Sequence, residues 1–480
     1  MQQKKFVTNI AFLIILNLLI KPFWPLGIET AVQNAVGNTS YGEYSILFSF
    51  SFLLNIILDF GVTQFNNKNI AQNNHLLTKH FSSLFTLKLI LGFIYLIITI
   101  ILGFLMGYDF RLMKLLFILS INQFLISMIA YLRSNLLGLH LFKTDSFVSV
   151  ADRVIMISIC LAMLLKWFGL HIDIMNFVYA QSIGYFLTAA IAFLTVYIKT
   201  HHFELKWNWP FSIMILKQSF PFAILVLLMT FYNRLDSVML GYLLPGNIGS
   251  EQAGIYAKAF RLLEAGNMIA YLFSIQLIPI FSRMIKHKEN VENIVKLAFV
   301  LLITPSLMVS VGSFFYSNEL TAIINRGATD SANEFSVLMF CLTAVSTTYI
   351  FGTLLTANGN LKQLNIMAIV GIFINLVLNF ILIPHYKAFG SALSSLITQF
   401  FTAGIQIYFA YKIFKFKINV KLLLSLSIFL VGIILFNYFG RYATTNWLFN
   451  FFISISCSLI WAFLSGLINI KLILRFIKYR

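Results

Sequence analysis

Long apolar runs alternate with short polar breaks from one end of the chain to the other. The run LKLILGFIYLIITIILGFLMG, Leu87 to Gly107, is interrupted by a single charge, Lys88. A run that stays apolar at successive positions has no strand-like alternation, and a lipid-facing β-barrel strand would alternate. Crossing a hydrocarbon core of about 30 Å takes roughly 20 apolar residues in a helix. In lipid every backbone polar group must also be satisfied within its own segment, which a helix does. Read this way, the chain holds fourteen spans, near 6–32, 41–64, 83–106, 112–138, 146–168, 174–198, 217–243, 252–282, 293–316, 335–356, 362–383, 388–411, 422–439 and 447–470. The longest connections are 65–82, 199–216 and 317–334, and none has the length of a separate soluble domain. The expected fold is an all-α polytopic membrane protein.

Composition agrees with the pattern. Of 480 residues, 59% are hydrophobic and 10% charged, with a mean hydropathy of +0.87. A soluble domain carries about 25% charged residues. Cys160, Cys341 and Cys457 all fall in apolar runs and form no Cys-x-x-Cys pair, so neither a disulfide framework nor a metal site is expected. The start, MQQKKFVTNIAFLIILNLLI, has the charge-then-apolar order of a signal sequence, but KPFWP follows in place of a small-residue cleavage site. A retained first span is expected.

The net charge of +18 raises the question of nucleic acid, and the placement of the charge answers it. With the N-terminus inside, 21 of the Lys and Arg residues fall on the inner side and 6 on the outer: Arg111, Lys114, Lys166, Arg326, Lys387 and Arg441. The positive-inside rule puts both termini in the cytoplasm. The basic residues flank spans and build no nucleic-acid surface.

Seven basic residues remain within spans: Lys21, Lys88, Arg133, Arg153, Arg234, Lys258 and Arg261. Each costs on the order of 3 kcal/mol at a helix centre. Lys88 and Arg133 are within one to two turns of the cytoplasmic edge, where snorkelling to the headgroups accounts for them. Arg153 is deeper and stands open between that account and a functional one. Lys21 lies in LIKPFWP, where Pro22 and Pro25 must break or bend the helix. Arg234 lies in YNRLDSVMLG. Lys258 and Arg261 are three residues apart in YAKAFRLLEAGN, on one helix face. Like charges there repel, and Glu264 can neutralise one of them. The surplus suits an anion such as a diphosphate. The competing account is an internal salt-bridge cluster with Glu264, Asp236 or Glu43. Arg234 and Asp236, two apart, do not pair on a regular helix. Asp236 and Glu264 are read as charge balance or as sites of H+ or Na+ coupling. Other acids in or near spans are Glu29, Asp59 and Asp152, with Asp59 and Glu43 taken as solvated or capping. Asn375 and Asn379, one turn apart, read as hydrogen-bonding glue between helices.

No H-E-x-x-H, phosphate-binding loop or nucleophile elbow is present. The histidines lie at loops or span ends, and His201-His202 falls in the linker. The outer loop offers Glu319, Arg326 and Asp330, a thin set for an enzyme. No catalytic residue, metal or cofactor is expected.

One small motif is written twice. GNTSYGEYS, Gly37 to Ser45, returns as GSEQAGIYA, Gly249 to Ala257, and the shared pattern G-x4-G-x-Y-x3-F-x6-N extends to Asn55 and Asn267. Each copy opens the second helix of a six-helix group on the same side of the membrane. Parallel repeats place a substrate site between two lobes. The expected organisation is an N-terminal lobe 1–198, a cytoplasmic linker 199–216, a second lobe 217–414, and a further helix pair with a basic tail, 415–480. Gly37, Gly42 and their counterparts are expected to serve a tight turn and close packing.

With these residues in view, the chain resembles the polysaccharide-exporting branch of the multidrug/oligosaccharidyl-lipid/polysaccharide superfamily, the O-antigen flippases. The resemblance rests on the two G-x-Y loops, on YNRLDSVMLG, on LKQSFPF, and above all on LLTANGNLKQLNIMAIVGIFINLVLNFILIPHYKAFGSALSSLIT, Leu354 to Thr398. It implies a flippase of the bacterial cytoplasmic membrane that moves an undecaprenyl-diphosphate-linked oligosaccharide by alternating access. Lys21, Arg153, Arg234, Lys258 and Arg261 would hold the diphosphate in a cationic cavity, though Lys21 matches no motif of the family. The lipid-linked oligosaccharide, membrane lipids and other polysaccharide-assembly proteins are the implied partners, and a monomer the implied state. A lipid II flippase, a cation-coupled multidrug exporter of the same superfamily, and a polytopic glycan polymerase or ligase are the competing readings.

Overall fold

A computed structural model describes residues 20–72, 76–139, 141–200, 203–205, 207–416 and 419–467. Residues 6–19 of the first expected span, His201-His202, and the tail residues Lys471, Arg475, Lys478 and Arg480 lie outside them. Every regular element among the described residues is helical. They are a π-helical turn, Trp24–Glu29, then α1 (Thr30–Val36), α2 (Asn38–Leu53), α3 (Ile56–Asp59), α4 (Val62–Gln72), α5 (Leu76–Leu105), α6 (Phe110–Gly138), α7 (Phe142–Leu164), a 3-10 turn (Trp167–Gly169) and α8 (Ile174–Thr200). After the linker come α9 (Trp209–Leu243), α10 (Gly246–Lys286), α11 (Glu292–Phe315), α12 (Ser317–Ile324), α13 (Ala332–Ala357), α14 (Leu361–Phe414), α15 (Val420–Gly440) and α16 (Trp447–Leu464). Nine helices among the described residues are long and apolar enough to cross a membrane, and the longest, α14, is two expected spans in one. The other expected spans fall on α1 with its π-turn, the broken run α2–α4, α9 and α10. The chain is a multi-pass membrane protein. Contacts divide it into two units, Met1–Gly254 and Ile255–Arg480.

In the first unit, the prolines act as the sequence requires. Lys21 and Pro22 form a turn, and the helix resumes with a π-helical stretch containing Pro25. The Thr30 hydroxyl donates to the Pro25 carbonyl at 3.1 Å, five residues back. Gly37 then takes φ +84°, which ends α1 and starts α2 at a sharp turn. The second span, expected as one helix over 41–64, is broken: Phe60 (φ +43°) and Gly61 (φ +76°) both enter the left-handed region. Lys88 closes the gap. Its ammonium donates to the Leu58 carbonyl at 2.9 Å, to Asp59 at 2.6 Å and to Ser127 at 2.6 Å, with the side chain 1% exposed. The snorkelling account of Lys88 is therefore wrong: an open helix end and a carboxylate inside the protein offered it partners that the headgroups did not. Asp59 correspondingly caps α4 through Thr63 and pairs with a cation, so it is not merely solvated. Arg133 likewise finds a carboxylate, donating to both oxygens of buried Asp145 at 2.7 and 3.0 Å.

The core beneath this network joins Phe81, Leu84, Tyr131, Leu132 and Val196. The linker is tied to it. Phe203 packs against Phe81, Phe85 and Phe193 with ring centroids 5.2 to 5.7 Å apart. Asn208 then caps α9 by accepting from the Phe211 amide at 3.1 Å. Phe203→Ala should lower stability by about 2 kcal/mol, below the cost of a fully buried Phe. Trp207→Ala, in an exposed position on the same linker, should leave the thermal midpoint of the purified protein unchanged.

In the second unit, α11 and α13 meet through hydroxyls rather than aliphatic bulk. Ser306 and Ser346 are 2.7 Å apart, and Ser310 donates to the Met339 carbonyl at 2.6 Å. Lipid tails are as apolar as leucine, so close packing and such bonds are what hold helices together in a bilayer. The run α14 bends sharply at Lys387 (φ +52°, ψ −131°), three residues past Pro384. Gly390 permits the tight reversal: a Cβ there would come 2.4 Å from the Leu382 carbonyl oxygen. This is the Ile-Pro turn expected between spans 362–383 and 388–411. Within α14, Asn379 donates to Asn375 at 3.0 Å along a single helix, and both are buried. The last pair, α15 and α16, shares a core with α11 through Phe429, Ile433, Ala462, Val300 and Val311.

Candidate functional site

The repeated loop has the same local geometry in both copies. Tyr44 stacks on Phe48 with centroids 5.7 Å apart, and Tyr256 stacks on Phe260 at 5.6 Å. The Tyr44 hydroxyl accepts from Gln181 of α8 at 3.0 Å, and the Tyr256 hydroxyl shares a 3.2 Å bond with Ser395 of α14. The second glycine of each copy presses on the other copy's backbone. A Cβ at Gly42 would lie 1.6 Å from the Ser250 carbonyl oxygen, and one at Gly254 would lie 2.2 Å from that of Asn38. Ser250 and Asn38 are themselves counterparts in the repeat, so the contact is reciprocal. Buried Gln33 ties it by donating to the Gly254 carbonyl at 2.8 Å.

Of the expected cationic residues, three lie in the first unit. The Arg153 guanidinium lies 5.3 Å from the centroid of Trp24, whose indole stacks on Phe177 and donates to Glu29 at 2.6 Å. Asp152 approaches the same guanidinium at 3.8 Å. Lys21 shares an electrostatic neighbourhood with Arg133, Arg153, Asp145 and Asp152. This surrounding is of mixed sign, with carboxylates interleaved among the cations. Arg234 lies over the faces of Phe48 and Phe52 at 5.4 and 5.3 Å, and Phe48 joins the same aromatic group through Tyr44 and Phe177. A cation over an aromatic face gains about 0.5–2 kcal/mol and keeps its donors for other partners. Asp236, two residues on, is 2% exposed.

The second unit holds Lys258, Arg261 and Glu264 on consecutive turns of α10. Lys258 is 7% and Arg261 3% exposed, and Glu264 is half-buried. Both oxygens of Asp330 accept from the Lys258 ammonium, at 3.0 and 3.1 Å. The partner of Lys258 is thus none of the three carboxylates that the sequence suggested. Glu43 is held by Arg111 at 2.5 Å. In the first turn of α12, Glu319 pairs with Arg441 at 3.4 Å. Among the described residues, no three His, Cys, Asp or Glu side chains gather as a metal site.

Comparison with known proteins fits this arrangement. Residues 6–285 match the sequence profile of a family described as polysaccharide biosynthesis protein. No curated protein matches the chain. Among solved structures, the lipid II flippase MurJ in an inward closed conformation superposes with a TM-score of 0.72 at 15% identity, covering 95% of this chain and 97% of that one. An inward-facing multidrug resistance MATE transporter of the MOP superfamily gives a TM-score of 0.64 at 14% identity, covering 84% of this chain and 98% of that one. An outward-facing MATE transporter gives 0.58 at 12%, covering 85% and 95%. The helix order, the doubled loop and these matches agree: the chain belongs to the polysaccharide biosynthesis protein family and has the fold of the multidrug/oligosaccharidyl-lipid/polysaccharide (MOP) superfamily.

Proposed function

We propose that this protein is a flippase that carries a polyprenyl-diphosphate-linked oligosaccharide, an O-antigen, capsule or exopolysaccharide unit, across the cytoplasmic membrane. The observation that carries the reading is the burial of Lys258 and Arg261 one turn apart within a helix of a polysaccharide-biosynthesis family member. Buried cations inside a membrane protein are costly and are kept for a partner of opposite charge. Asp330 already meets Lys258, and a diphosphate, which joins an apolar tail to a polar glycan, would compete for these two cations. Lys21, Arg153 and Arg234 are the further cations of the proposal, with Asp236 and Glu264 balancing charge or binding a coupling H+ or Na+. The working cycle is alternating access of two six-helix lobes, 1–198 and 217–414, with both termini cytoplasmic. Support for the duplication comes from the matched Tyr44–Phe48 and Tyr256–Phe260 pairs and their matched hydroxyl partners. Membrane lipids and other polysaccharide-assembly proteins are its partners, and it works as a monomer.

Arg261→Ala and Lys258→Ala, made in a strain that depends on this protein for surface glycan, should each cut export at least tenfold at unchanged protein level. A hydrogen bond to a charged group is worth about 1.5–3 kcal/mol, and each 1.4 kcal/mol is tenfold in affinity. Normal export in both variants would sink the anion site. A second reading is favoured by the whole-length likeness to MurJ, a lipid II flippase. Rescue of cells depleted of their lipid II flippase would select it over glycan-unit export.

A further inference from the structure

Lys258 is buried at 7%, while the side chain that holds it, Asp330, is 31% exposed. Asp330 lies in the turn between α12 and α13, the connection that the charge distribution assigns to the outer side of the membrane. The acceptor therefore reaches in from the loop, and its two oxygens both meet the ammonium, at 3.0 and 3.1 Å. Four residues further, in the first turn of α13, Glu334 is 8% exposed, and its Oε2 atom is buried without a hydrogen-bond partner. The segment that delivers Asp330 to Lys258 thus carries a second, buried carboxyl group. A pair of carboxylate oxygens on an ammonium makes the same kind of contact as two phosphate oxygens.

We propose that Asp330 is a built-in competitor for the diphosphate: it takes over Lys258 and so promotes release of the lipid-linked substrate on the outer side. This rests on the reading of Lys258 as a diphosphate ligand. A tethered acceptor competes at an effective concentration of order millimolar or more, and no free anion at the outer face needs to be supplied. A lysine that only bound would hold its ligand equally well in every state; a lysine with a rival acceptor on one side lets go there.

The test is binding of farnesyl diphosphate, a soluble polyprenyl diphosphate, to the purified full chain in lipid nanodiscs, with farnesol as the uncharged control. Asp330→Asn should bind farnesyl diphosphate about ten- to a hundredfold more tightly than the unaltered protein, from the worth of a charge-assisted bond. In cells it should export less glycan. Lys258→Met should weaken binding, and adding Asp330→Asn to it should bring no gain, since the two residues act on one contact. If Asp330→Asn fails to fold, Asp330→Ser carries the same expectation. Equal or weaker binding by a folded Asp330 variant, with diphosphate-dependent binding intact in the unaltered protein, overturns the competitor and leaves the proposed function standing. Equal binding of farnesyl diphosphate and farnesol by the unaltered protein overturns the diphosphate site itself.

Discussion

Gly42→Ala and Gly254→Ala are expected to abolish the glycan export proposed above and to lower the stability of the purified protein by about 3 kcal/mol or more. Overpacking a tight contact usually costs about 1–3 kcal/mol, because a neighbouring side chain can turn aside. Here the obstacles are main-chain atoms. The added methyl at Gly42 would lie 1.6 Å from the Ser250 carbonyl oxygen and 2.6 Å from its carbon, so α2 and the start of α10 must part by more than an ångström. Parting would also stretch the 2.8 Å bond from Gln33 to the Gly254 carbonyl. Gly92→Ala is the control. Its methyl would come 2.4 Å from the Phe124 ring, a side chain that can swing, so a loss near 1 kcal/mol is expected. Thermal unfolding of the three purified variants reads the cost. A loss at Gly42→Ala no larger than that at Gly92→Ala would show that the crossing gives way more easily than the structure has it.

The architecture was legible because it is written in runs of residues. Apolar stretches of about 20 residues placed the spans from 83–106 onward on α5–α9, α11 and α13–α16, with ends off by up to eight residues, and the Pro384 turn split α14 at the expected point. The twice-written loop was legible as identity at five positions, and its consequence, glycine against backbone, followed from what glycine lacks. Charge partners were not legible. Lys88, Arg133 and Lys258 were singled out as charges within spans, yet their acceptors, Asp59, Asp145 and Asp330, sit 29, 12 and 72 residues away. Nothing local encodes such a pairing, and a helical period says only which face a charge occupies. Asp330 was noticed as part of a thin catalytic set in a loop, and its service to a buried lysine on another helix needed the fold. The Trp24–Glu29 bond was also hidden, because a π-helical turn shifts the register that a 3.6-residue period assumes.

The break in the second span supplies the other large effect. Asp59→Asn should destabilise the protein by about 3–5 kcal/mol, the usual cost of leaving one member of a buried ion pair alone. Lys88→Met should cost less, about 1–3 kcal/mol, although it removes the same pair. The asymmetry follows from burial: the Lys88 side chain is 1% exposed and the Asp59 side chain 26%. Without Asp59, the ammonium keeps Ser127 and the Leu58 carbonyl as acceptors but has no counter-charge in an apolar surrounding. Without Lys88, the carboxylate keeps its contacts to Thr63 and its access to water, and what is lost is the lysine's grip on the open end of α3. The double variant Asp59→Asn/Lys88→Met removes the lone charge as well as the pair, so it should recover most of the Asp59→Asn loss, with a coupling of at least about 1.5 kcal/mol. Thermal unfolding of the four proteins in one lipid environment measures all of this at once. Two single losses that are equal and simply add would mean that Lys88 and Asp59 do not hold the break together, and that the left-handed turn at Phe60 and Gly61 stands by its own packing.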